Sequence, residues 1–167
     1  MAYTADVHGR IRDAVAAALR GVAETMYADG DGAFGVPAEQ VYAVNKFVRT
    51  QVDLPAVVVS YEGLAEQVRG GTNREDDVAY PVFVGLYVNG PVNNETAAGG
   101  PTLTQFRDTV RGLFHNRRLA GVPEVYQCEV SPQPLVQEGL PGYEQLATSV
   151  VVTAAARVER NPTWSKT

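Results

Sequence analysis

Val78-Ala-Tyr-Pro-Val-Phe-Val-Gly-Leu-Tyr-Val88 is the stretch on which the fold turns. Its β-branched and aromatic residues predict a strand. Val78, Tyr80, Val82, Val84, Leu86 and Val88 fall on one face, and Ala79, Phe83 and Tyr87 fall on the other. Both faces are apolar. Pro81 has no N–H to give to a ladder, so inside this run it predicts an edge position or a bulge.

Upstream, Pro55-Ala-Val-Val-Val-Ser-Tyr61 is a β-branched run bounded by proline and reads as a second strand. Between the two, Glu62–Asp77 carries Gly70-Gly71 and mixed charges and reads as an extended loop. A short strand is expected within Val41–Val48. Further back, Val7, Ile11, Val15, Ala18, Val22 and Met26 recur in steps of three and four, the stripe of an amphipathic helix over Ala5–Met26. The glycines of Ala28–Gly32 end it, and a loop follows to Pro37.

Downstream, Asn89–Pro101 is a loop full of breakers. Thr102 and Gln105 have the spacing of a capping box. The helix they open sets Leu103, Phe106, Val110, Leu113 and Phe114 on one side, with Arg117-Arg118 near its negative end. Val125–Val130 reads as a strand, the Pro- and Gly-rich Ser131–Tyr143 as a loop, and Leu146–Val158 as a long closing strand. The order predicts an α+β fold: a mostly antiparallel sheet, two helices on one face, and long loops between elements. One domain over residues 1–158 and a polar tail over 159–167 follow from it.

The 167-residue length suits a single core. A lone cysteine, Cys128, excludes an internal disulfide, fits a reducing compartment, and in its apolar stretch reads as a small hydrophobe. The first residues lack the apolar core of a signal peptide, and no apolar run is long enough to span a bilayer. The formal net charge of −5 speaks against a protein that holds nucleic acid by counterion release.

Chemistry-bearing patterns are missing. His8 and His115 have no second ligand at metal spacing. Asp29-Gly-Asp31 lacks the later ligands of a calcium loop, since Ala33 and Gln40 occupy those positions. No phosphate-binding glycine motif or nucleophile elbow occurs. Glu75-Asp76-Asp77 reads as a solvated acidic tip, and Arg107, Arg111, Arg117 and Arg118 as a solvated helix face. The expectation is a protein that is not an enzyme and takes no cofactor or metal.

Structureless connections beyond about 12–15 residues are uncommon, and three near that length, Glu62–Asp77, Asn89–Pro101 and Ser131–Gln145, are costly to order in one small domain. The second apolar face of the central strand has no helix to cover it, since both helices go to the other face; neighbouring copies are expected to bury it, the alternative being a sheet that curls on itself or a long loop that covers it. Exposed apolar surface and open strand edges mark interaction sites. Arg69, Arg74, Glu75, Asp76 and Asp77 on the first long loop, Phe83 and Tyr87 on the bare face, and Asn93, Asn94 and Glu95 on the second loop are therefore the candidate subunit or partner interface.

A helix with Ile11, Val15 and Leu19, the strands Pro55–Tyr61 and Val78–Val88, a helix with Phe106-x-x-x-Val110-x-x-Leu113 and the strand Leu146–Val158 follow in that order. This order resembles the tail terminator proteins of long-tailed bacteriophages and their neck-region relatives. The resemblance implies a homohexameric ring that caps the tail tube, stops its polymerisation and joins the tail to the head. It implies a virion protein, present in host cytoplasm during assembly. Its partners would be further copies of itself, the tail tube protein and a neck or connector protein. DNA would pass through the ring without specific binding, which an acidic subunit favours, and no membrane would be involved. A head–tail connector or stopper protein is the alternative. A nucleic-acid-binding module and a small-molecule enzyme stand behind both.

Overall fold

The computed structural model describes residues 6–23, 36–61, 63–87, 101–132 and 146–160. The fold is α+β. Helix α1 spans Val7–Arg20, followed by strands β1 (Val41–Ala43), β2 (Ala56–Ser60), β3 (Gln67–Gly71) and β4 (Glu75–Tyr87). Helix α2 (Pro101–Phe114) and strands β5 (Val125–Pro132) and β6 (Leu146–Glu159) complete the order. The six strands form one sheet in the order β1-β2-β4-β6-β5, with β3 beside β4. Only β1 and β2 run parallel; every other pair is antiparallel.

The central strand is where its alternation puts it. Val78, Tyr80, Val82, Val84 and Leu86 point into the main core, against Val57 and Val59 of β2 and Val150, Val152, Ala154 and Ala156 of β6. Helix α1 covers the β1–β2 side of this face with Ile11, Val15, Ala16 and Leu19, all fully buried. Helix α2 covers the β5–β6 side with Phe106, Val110 and Phe114. Each of these side chains larger than alanine contributes roughly 1.5–3 kcal/mol by leaving water. The Asp6 carboxylate starts α1 by accepting a hydrogen bond from the Gly9 N–H at 3.0 Å. The helix ends at Arg20, short of the predicted Met26. Helix α2 begins at Pro101, one residue before the predicted cap, as suits a residue with no N–H to leave unpaired.

Two expectations about β4 are corrected. Pro81 sits in a central strand, not at an edge, and the register against β6 runs through it without a bulge, Pro81 opposite Thr153. On its other side β4 is shared between β3, which stops at Ala79, and β2, which starts at Phe83. Pro81 occupies the gap. A residue's N–H and C=O point to the same side of a strand, and the Pro81 carbonyl is held there by His8 Nε2 at 2.6 Å. The missing donor therefore faces no neighbouring strand.

The second apolar face is also not bare. Parallel strands need a crossover, and the one from β1 to β2 lies on this face. Its residues Val52, Leu54 and Phe47 pack with Ala56, Val58, Tyr87 and Leu146. Phe47 stacks on Tyr87 with ring centroids 4.2 Å apart. Gly85 makes room for this layer: a Cβ there would lie 2.7 Å from the Phe83 ring and 3.0 Å from the Tyr87 ring. The predicted strand at Val41–Val48 is accordingly only three residues long, because the chain leaves at Val44 to make the crossover.

Outside the core, Arg10 of α1 holds both carboxylate oxygens of Glu124, at 2.8 and 3.1 Å. This hydrogen-bonded pair holds the Glu124 carboxyl below its usual 4.5. A lowered carboxylate pKa stabilises the fold above the unfolded value, and the contribution is lost as pH falls through the folded one. Glu124→Gln is expected to cost about 0.5–1 kcal/mol at neutral pH for a pair this exposed. Denaturant titration should show the gap closing in acid; a gap that persists there would assign the cost to packing instead of charge.

Candidate functional site

The segment Glu62–Asp77, expected as a loop, is largely a β-hairpin. Gln67 pairs with Ala79, Val68 with Val78, Gly70 with Asp77 and Gly71 with Asp76, and Arg69 is extruded at a bulge. The turn is built by Thr72. Its N–H donates to the Glu75 carbonyl at 2.7 Å, while its hydroxyl accepts from the Arg74 and Glu75 N–H groups. Gly71 is required because any Cβ would lie 2.7 Å from the Glu75 carbonyl oxygen. The result is an arm that forms one end of the sheet, β4 still paired with β6 and every residue of β3 exposed.

The arm is anchored from the far end of the chain. Arg160 donates to Asp76 Oδ1 from Nε at 2.9 Å and from Nη2 at 2.6 Å, and its N–H reaches the Arg74 carbonyl at 2.8 Å. The bond to Arg160 lowers the Asp76 pKa. The Tyr126 hydroxyl donates to Asp77 Oδ1 at 2.8 Å, which raises the phenol's pKa, and the Arg157 guanidinium lies over the Tyr126 ring. Between the arm and β5 runs a trough of about 80 Å³ lined by Arg69, Tyr126, Gln127, Glu129, Thr153 and Ala155. That is well below the ~300 Å³ at which small-molecule pockets begin.

The predicted interface residues divide accordingly. Arg69 and Arg74 are exposed, and no ion-pair partner for either lies among the described residues. Glu75, Asp76 and Asp77 are half-buried, with both aspartates committed within the chain. Phe83 is half-buried on the rear face, whereas Tyr87 is 1% exposed and is withdrawn from any interface by Phe47 and the crossover. Asn93, Asn94 and Glu95 lie outside the described residues, as do residues 161–167 of the predicted tail; Glu159 belongs to β6. Sequence reading missed Tyr126, Arg157 and Arg160. Their signal was the charge pattern of the closing strand, unreadable without the register that sets Asp77 against Arg157.

The other groups weighed for chemistry are structural. His8 lies against Tyr61 and Tyr80 at 4.6 and 5.4 Å between centroids. His115 Nδ1 accepts from the Val130 N–H at 3.1 Å. Burial pushes the Cys128 thiol up to about 11, away from reactivity. Arg107 bonds Thr148 and Arg111 pairs with Asp108, which interrupts the cationic stripe of α2. Among the described residues no group of three His, Cys, Asp or Glu side chains converges as a metal site, and no helix is long and apolar enough to cross a membrane.

Sheet edges complete the picture. Val44 N–H reaches Val59 O, so Val41 addresses the outer side of β1, where its carbonyl accepts from Arg20 Nε and Nη2 at 3.2 and 2.9 Å. On β5, Cys128 N–H donates to Arg117 O and its carbonyl accepts from Asn116 N–H, both at 2.8 Å, while His115 takes Val130. Two edges are thus occupied by the chain itself. Among the described residues nothing occupies the outer edge of β3. Comparison with protein-family models, curated proteins and solved structures finds no match to this chain.

Proposed function

We propose that the chain is an assembly subunit of the tail terminator type, one that forms a ring on the end of a phage tail tube, stops its growth and joins it to the neck. The observation that carries this reading is the β3–β4 arm. It is a firmly anchored hairpin whose outer strand, β3, presents an open edge and buries none of its residues, and two of its guanidiniums have no ion-pair partner among the described residues. A protein that spends residues this way uses them on another surface. The order of elements and the placing of both helices on one face agree with the resemblance.

The test is electron microscopy of lysates from a phage in which this gene alone is disabled. The expected result is overlong tubes without heads. Tubes of normal length beside filled, unjoined heads would move the assignment to a connector or stopper. Normal infectious particles would remove the tail-assembly reading altogether.

A further inference from the structure

We propose that the free subunit forms a two-fold dimer by antiparallel pairing of β3 with β3 of a second copy, centred on Val68. The proposal concerns the protein in solution and does not rest on the tail reading. It starts from elimination. A second copy can add to this sheet only at an unoccupied edge. Arg20 takes the Val41 carbonyl of β1, and the segment after α2 takes Cys128 and Val130 of β5. Among the described residues β3 is the edge strand that is exposed at every residue, with none of its outer backbone groups taken by another segment, so the edge on offer in each copy is the same one. Pairing like with like produces an isologous, closed contact.

The residues of β3 favour that contact and set its register. Val68 is 68% exposed, the most exposed large hydrophobic side chain among the described residues. A two-fold axis at Val68 sets it against its own counterpart and covers both. It also sets Gln67 opposite the partner's Arg69, an amide acceptor for a guanidinium that has no ion-pair partner among the described residues. Glu66 then faces the partner's Gly70, where a side chain meets nothing within 4 Å. Centring the axis on Arg69 would instead place two guanidiniums face to face, which is unfavourable in a cross-strand pair.

Sedimentation equilibrium on the full chain and disulfide trapping test the proposal together. The wild type is expected at twice the chain mass at the high end of a dilution series, and Val68→Lys at the single-chain mass. Under mild oxidation Val68→Cys is expected to give a covalent dimer at least tenfold faster than Ala120→Cys, an exposed control on the α2–β5 connection. The native Cys128 is fully buried and does not compete. A wild type of single-chain mass, together with trapping at 68 no faster than at 120, would overturn the proposal. It would mean that the bulge at Arg69 blunts the edge. Faster trapping by Arg69→Cys would overturn the register. A heavier species untouched by Val68→Lys would assign association to another surface.

Discussion

Under the proposed tail-terminator function, phage carrying Arg69→Glu and Arg74→Glu together are expected to lose at least tenfold in titre and to accumulate unjoined tubes, while the purified variant melts within ~1–2 °C of wild type. Both guanidiniums are exposed, and neither has an ion-pair partner among the described residues. Surface substitutions of that kind change stability by about 0.5 kcal/mol or less. Asp76 and Asp77 keep their own partners, Arg160 and Tyr126, so the arm stays anchored. What changes is the field of the arm. Each replacement alters the charge by two, so each copy goes from −5 to −9. Like charges set against a partner surface that accepts a cation cost several kcal/mol, and repetition around a ring multiplies the penalty. Normal titre with a normal melting temperature would show that the arm does not meet the tube or the neck.

How much of this was legible in the sequence differs between core and arm. β4, β2 and β6 announce themselves because runs such as Val57-Val-Val59 and Val150-Val-Val152 have only one comfortable place, inside a sheet. The stripe of α1 was readable for the same reason. β3 was not. Gln67-Val-Arg-Gly-Gly71 has low strand propensity and buries nothing; it is extended because β4 offers an edge and the Thr72 turn folds the chain back onto it. Local pattern carries no trace of such tertiary causes. The candidate site shares this asymmetry. Arg69, Arg74 and the acidic triplet could be found because they cluster in sequence. Arg160, which fixes Asp76, comes from the other end of the chain.

Tyr87 shows the opposite failure, and it yields the second large effect. Read from the strand alone, it belongs to an uncovered apolar face; in the fold, the β1–β2 crossover covers it with Phe47. Tyr87→Ala is therefore expected to destabilise the monomer by about 3–5 kcal/mol, the usual cost of removing a buried aromatic ring. For a domain of this size that is a fall in Tm of about 6–20 °C, a large part of a total stability near 5–15 kcal/mol. The stacked pair supplies its own control. Phe47→Ala leaves the same layer half-empty, so the double variant should lose less than the sum of the two. The shortfall should be about 0.5–1.5 kcal/mol, the worth of the ring contact itself. Thermal melts of the four proteins, each with its sedimentation mass, separate the readings. Loss of stability with unchanged association places Tyr87 in the monomer's core. Unchanged stability with lost association would return it to the interface and would mean that the crossover yields that face to a second chain.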